Sequence, residues 1–143
     1  MTAILAQPLS PNRLPILVPG IEQQSRVFPS DRAAIPEVMA FVHVAFESWG
    51  IDCLERRASH AVPALASWIL EHDRCPLGFV VTVWTDRPLV FVDLVDRGTS
   101  LPNIDGEPGL EDRDLYLDVA PFAEDWGAEL TPTSRCVWLS FAA

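Results

Sequence analysis

The sequence predicts an α+β domain in which helices lie on one face of a mainly antiparallel β-sheet. Two observations support this prediction. The chain has 143 residues, of which 49% are apolar and 21% charged, a composition typical of a single globular domain. Helical and strand-like patterns then follow one another in the order β-α-α-β-β-loop-α-β-β, which favours helices layered on a sheet whose sequential strands form hairpins.

The first 24 residues are expected to form a flexible arm, and the domain itself is expected to cover residues 25–143. The arm contains four prolines and shows no apolar periodicity, as is typical of extended or disordered segments. The short run from Ser25 to Phe28 predicts an edge strand, and Pro29 closes it.

The first helix is expected to run from about Val38 to Trp49. Pro36 suits a first helical turn, and Gly50 ends the helix. Between residues 38 and 46 the helix has almost no polar face, so it is either buried inside the domain or presents one side to another subunit or partner. The candidate dimer or partner residues on this helix are Met39, Phe41, Val42 and Phe46.

A second helix is expected to begin near Asp52, because apolar residues then repeat at steps of three or four. Pro63 falls inside it and is expected to kink the helix or split it. The remaining expected elements, in chain order, are two hairpin strands (79–84 and 89–95), a long loop (97–110), a short helix (115–123) and two final strands (126–130 and 136–141).

The charge of the chain excludes several classes of function. The formal net charge is −10, and all ten basic residues are arginines. Such a chain is not expected to bind nucleic acid or an anionic membrane surface. The absence of lysine excludes a Walker-A phosphate loop and Schiff-base chemistry. The sequence has no run of about 18 apolar residues and no signal-peptide pattern, so a cytoplasmic location is expected.

The cysteines and the acidic residues give two further expectations. Cys53, Cys75 and Cys136 are widely spaced and predict reduced thiols; without a CxxC or HExxH pattern, no metal site is expected. Between Asp93 and Glu129 the sequence has eleven acidic residues against two arginines. This region predicts either a solvated acidic face or a docking surface for a basic partner.

Four stretches, in this order along the chain, carry a resemblance to a known family. They are Arg26-Val27-Phe28-Pro29 with Ile35-Pro36-Glu37, Val92-Asp93-Leu94-Val95-Asp96-Arg97-Gly98, Ala123-Glu124-Asp125-Trp126-Gly127, and Thr131-Pro132-Thr133-Ser134-Arg135-Cys136-Val137-Trp138. Together they resemble the GHKL (histidine-kinase-like) ATPase superfamily, and within it the anti-sigma-factor serine kinases and related stand-alone ATP-binding proteins of actinobacteria. The resemblance implies a two-layer α/β sandwich of the Bergerat type.

The resemblance also implies an ATP site, but most of its chemical groups are replaced. In the family, one helix carries a glutamate that activates the attacking group and an asparagine that holds magnesium. Alignment on His72 places Ala64 and Trp68 at these two positions. Alanine has no proton acceptor, and an indole cannot ligate Mg²⁺, which requires oxygen ligands. The glycine-rich lid of the family aligns with residues 112–117, which contain no glycine.

The adenine end of the family's site is the part that is retained. Asp96 matches the aspartate that receives the adenine amino group, and Gly98 matches the glycine that follows it. The same residues are equally compatible with a turn at the end of a strand. In the last motif, Cys136 replaces a threonine. Trp68 is either a core residue or a plug in the former nucleotide cavity, and the two interpretations are compatible.

The sequence therefore predicts a catalytically inactive GHKL-fold regulatory protein that needs no cofactor and acts by binding another protein. The resemblance implies a sigma factor or a STAS-domain protein as partner, and a homodimer. One alternative is a divergent serine kinase that binds ATP and Mg²⁺ and uses another carboxylate, such as Glu71. A second alternative is a structural subunit that forms a heterodimer with an active paralogue.

Overall fold

The computed structural model describes residues 22–72, 77–102 and 113–143, which form a mixed α+β fold. Five strands form one antiparallel sheet in the order β1-β2-β3-β5-β4. This confirms the predicted fold class at the level of an α+β fold with an antiparallel sheet. The elements in chain order are β1 (Glu22–Phe28), α1 (Ile35–Ser48), α2 (Glu55–Glu71), β2 (Phe79–Asp86), β3 (Leu89–Asp96), α3 (Arg113–Val119), β4 (Asp125–Leu130) and β5 (Arg135–Ala142).

Several elements differ from the sequence expectations: α1 begins at Ile35 rather than near Val38, and α3 covers Arg113–Val119 rather than 115–123. The strand β1 begins three residues earlier than expected, at Glu22, because its pairing with β2 continues until Glu22 lies opposite Thr85. The helix α2 is a single element of 17 residues with Pro63 inside it, so the proline does not split the helix. Ala61, Val62 and other side chains around Pro63 are buried in the core, and this burial offsets the lost backbone hydrogen bond.

One hydrophobic core joins the three helices to one face of the sheet. Val42 of α1, Leu65 of α2 and Val119 of α3 belong to the same buried cluster as alternate residues of the strands, such as Val83 and Val92. Because side chains alternate along a strand, the residues between these core positions lie on the opposite face. We call this opposite face the outer face; it includes Ser25, Val27, Val80, Thr82, Trp84, Phe91, Asp93, Val95, Asp125, Gly127, Glu129, Cys136, Trp138 and Ser140.

Candidate functional site

A buried ion pair joins the end of β3 to the start of β5. Asp96 and Arg135 lie directly opposite each other in the antiparallel register. Nε of Arg135 donates a hydrogen bond to Oδ1 of Asp96 at 2.9 Å, and Nη2 donates to Oδ2 at 2.5 Å. The arginine side chain is 0% exposed and the aspartate side chain 1%. This two-bond geometry is the strongest form of an arginine–carboxylate contact.

The remainder of the guanidinium group is held by the loop after β3 and by α2. Nη1 of Arg135 donates to the backbone carbonyl of Ser100 at 3.0 Å. The Cζ atom of Arg135 lies 4.8 Å from the ring centroid of Trp68, which is a cation–π distance. Trp68 also stacks on His72, with ring centroids 4.2 Å apart. Three parts of the fold therefore enclose one guanidinium group.

Gly98 allows the guanidinium group to approach the backbone. Its N–H donates to Oδ1 of Asp96 at 3.0 Å. A Cβ atom at this position would overlap the guanidinium group of Arg135, so the space beside the backbone requires glycine. Asp96 thus forms a local turn with Gly98 and accepts hydrogen bonds from Arg135 with the same carboxylate. We call the group Trp68, Asp96, Gly98, Ser100 and Arg135 the Arg135 site.

Three of the five predicted nucleotide-pocket residues, Trp68, Asp96 and Gly98, meet at this site. Ala64 lies one helical turn before Trp68 and packs against the core. Cys136 lies on the outer face, because it follows Arg135 in β5 and neighbouring strand residues point to opposite faces.

Sequence reasoning missed the central role of Arg135. The available signal was its position at the start of β5, on the same side of the strand as the buried Val137, Leu139 and Phe141. A charged residue on an apolar strand face needs a buried partner. That requirement could have directed attention to Asp96.

The candidate partner residues of α1 are mostly packed inside the domain. Val42 and Phe46 are 0% exposed, and Met39 and Phe41 are partly buried against the core. Val44 is the large apolar residue that this helix exposes. The structure therefore favours the interpretation of α1 as an interior helix, and Val42 and Phe46 are inaccessible to a partner in this conformation.

A second buried carboxyl group lies on the outer face. Oδ2 of Asp93 accepts a hydrogen bond from Nε1 of Trp84 at 2.9 Å. Burial raises the pKa of Asp93 well above its usual range; the Trp84 hydrogen bond partly opposes this effect, and the charge of Glu129 adds to it. Burial also raises the pKa of the Cys136 thiol, and the nearby carboxylates, Asp93 first, raise it further. Asp93 is therefore a group that the fold prefers to keep protonated.

We expect the deprotonation of Asp93 to lower the free energy of unfolding as the pH rises. Its pKa in the folded protein exceeds the ordinary value of 3.8, so the folded state holds this proton more tightly. The resulting stabilisation is complete below pH 3.8 and is lost as the pH rises through the folded-state pKa. One group changes the free energy by at most about 1.4 kcal/mol per pH unit.

Urea unfolding at a series of pH values measures this slope. The variant Asp93→Asn should lose the contribution and be more stable than the unmodified protein at neutral pH. The exposed Asp86 provides the matched control, Asp86→Asn, which should leave the slope unchanged. An unaltered pH dependence in Asp93→Asn would contradict the prediction.

Comparison with known proteins assigns no family to this chain. No protein-family model matches the sequence, and a search of curated proteins finds no match. Membership of the GHKL superfamily therefore stays a prediction. In the part of the chain that the structure describes, no group of His, Cys, Asp and Glu side chains could hold a metal ion, and no helix is long and apolar enough to cross a membrane. Cys75 and the lid position Asp112 lie outside the described residues.

Proposed function

We propose that this chain is a catalytically inactive regulatory protein of the GHKL type, which acts by binding another protein. Its order of elements is compatible with a two-layer sandwich of the Bergerat type. One observation carries the proposal. The carboxylate of Asp96, which would receive an adenine amino group in an active relative, is already bonded by Arg135 and by the backbone of Gly98.

The energy of the ion pair opposes nucleotide binding. A purine that uses Asp96 as acceptor has to displace Arg135, and separating a buried ion pair costs about 3–5 kcal/mol. This energy corresponds to a loss of about two to four powers of ten in affinity. A micromolar ATP site would be weakened to a dissociation constant of about 0.1–10 mM. Trp68 adds a second obstacle, because its ring lies against the guanidinium group.

The surface charge favours a partner with a basic surface. The net charge is −10, and Asp114, Asp118 and Glu124 are exposed on and after α3. Asp93 and Asp96, which belong to the same acidic region of the sequence, are buried and do not contribute to this surface. The family resemblance suggests a sigma factor or a STAS-domain protein as the partner. Without ATP chemistry, such a protein would hold its partner constitutively.

Titration with ATP and Mg²⁺ tests the proposal directly. We expect calorimetry and melting curves to show no site with a dissociation constant of about 10 μM or tighter, which would be almost saturated at about 1 mM nucleotide, a hundred times that constant. A site of that affinity would add about 2.7 kcal/mol of stability at this concentration, a shift that a melting curve resolves. Binding at micromolar concentration would contradict the proposal. Phosphate release in the presence of an antagonist protein, abolished by Asp96→Asn, would then support a divergent kinase.

The two alternatives, a divergent kinase and a structural subunit of a heterodimer, predict different observations. Glu71, the substitute carboxylate of a divergent kinase, is exposed at the end of α2, where it pairs with Arg32 at 3.6 Å. A structural subunit would co-purify with an active paralogue from its native host.

The homodimer is a separate part of the proposal. A strictly monomeric protein at micromolar concentration, measured by light scattering, would remove it.

A further inference from the structure

The outer face of the sheet is more buried than the described elements explain. Trp84 is only 6% exposed, and Thr82, Asp93 and Cys136 are almost completely inaccessible. The buried side chains of all three helices lie in the core on the opposite face. A sheet face in contact with water leaves its large side chains substantially accessible. Such burial is expected where a further layer of protein packs on a sheet face.

The pattern of exposure indicates where the cover lies and argues against a second copy of the chain. Val27 of the edge strand β1 is 67% exposed, whereas Trp84, Asp93 and Cys136 of β2, β3 and β5 are buried. Val80, Phe91 and Trp138 on these strands are only partly buried, so the proposed cover lies over part of the middle strands. Because the buried side chains are already inaccessible within one chain, they offer little apolar surface for a second copy to bury.

We propose that the outer face is a docking surface for the chain's own residues 1–21. This segment ends where β1 begins, at the edge of the sheet. Five strands span about 20 Å, whereas 21 residues can reach about 70 Å. The segment carries the apolar side chains that such a face requires: Ile4, Leu5, Leu9, Leu14, Ile16, Leu17, Val18 and Ile21.

Charge distinguishes this segment from the other ranges outside the described residues. Residues 1–21 are the longest stretch of the sequence without an acidic residue, and Arg13 is their one charged side chain. They bring no negative charge to the carboxyl groups of Asp93 and Glu129. Residues 103–112 contain four acidic residues, which those carboxyl groups would repel. Residues 73–76 are too few to cross the sheet.

A spin label on the full-length protein tests the proposal. The five tryptophans provide internal reporters, because Trp84 and Trp138 lie on the outer face and Trp49, Trp68 and Trp126 lie in the core. The label is attached to Ser10→Cys in a Cys53→Ser, Cys75→Ser background. We expect the indole N–H signals of the two outer tryptophans to broaden strongly and the other three to broaden less. A matched control carries the label on the exposed Cys53, in a Cys75→Ser background, and should not produce this pattern.

The outcomes of the labelling experiment are distinct. Equal broadening of all five signals, or none, would overturn the proposal. A mixture of labelled protein and isotope-enriched unlabelled protein tests the second copy. Broadening of the outer tryptophans in that mixture would show that another chain covers the face and would also overturn the proposal.

The Cys136 thiol gives an independent measurement. In the Cys53→Ser, Cys75→Ser background, Ile16→Asp with Leu17→Asp should make Cys136 react with a thiol reagent about tenfold faster or more, because the face opens locally. The control Gln7→Glu with Asn12→Asp adds the same two charges at polar positions and should leave the rate unchanged. Circular dichroism verifies that both variants fold. An unchanged rate in the folded Ile16, Leu17 variant would overturn the proposal.

Discussion

Replacement of Arg135 by alanine is expected to lower the free energy of unfolding by about 3–5 kcal/mol. The substitution removes four side-chain hydrogen bonds, two to Asp96 and two to Ser100, at its carbonyl and its hydroxyl oxygen. It leaves the carboxylate of Asp96 buried with the N–H of Gly98 as its one remaining partner among the contacts described above. A loss of this size is a large fraction of the stability of a small domain. Urea or thermal unfolding measures it.

Two further variants separate the buried charge from other effects. Arg26 forms an exposed ion pair with Glu37 at 3.5 Å, and Arg26→Ala should cost less than about 1 kcal/mol. Replacing both buried partners, as Asp96→Leu with Arg135→Met, removes the unpaired charge and should recover most of the stability that Arg135→Ala loses. If Arg135→Ala costs no more than Arg26→Ala, the ion pair does not hold the site together.

The strands and helices could be predicted because their signals are local. Apolar runs rich in valine at 79–84 and 89–95, separated by the turn Asp86-Arg87-Pro88, identified both strands of the central hairpin. The nearly all-apolar helix α1 left two interpretations open, since a helix without a polar face fits an interior position and an interface equally well. Only the packing of Val42 and Phe46 in the core distinguishes them. The continuity of α2 through Pro63 likewise depends on tertiary burial, which no local pattern contains.

Only part of the candidate site could be predicted, because its contacts join distant parts of the chain. Asp96 and Gly98 were found through a short motif, but Arg135 lies 39 residues after Asp96. The sequence reasoning chose Cys136, one residue further along β5. In a strand, a one-residue difference places the side chain on the other face of the sheet. The register of β3 with β5 decides which residue of β5 lies opposite Asp96, and that register is a property of the folded sheet.

Replacement of Trp68 by alanine is expected to cost about 3–5 kcal/mol of stability, because it removes a large buried ring and leaves a cavity beside the guanidinium group. The conservative variant Trp68→Phe keeps an aromatic face for Arg135 and should recover a substantial part of the loss. Trp138 on the outer face is only partly buried, so Trp138→Ala provides a control with a smaller expected cost.

The variant Trp68→Ala also separates the contributions of Trp68 and Arg135 to the exclusion of nucleotide. In Trp68→Ala the cavity beside the guanidinium group is open, but both oxygens of Asp96 still accept hydrogen bonds from Arg135. We therefore expect the folded variant to show no site with a dissociation constant of about 10 μM or tighter for ATP and Mg²⁺, a site that would be almost saturated at about 1 mM. Micromolar binding by Trp68→Ala would identify the indole as the obstacle and contradict the role assigned to the ion pair.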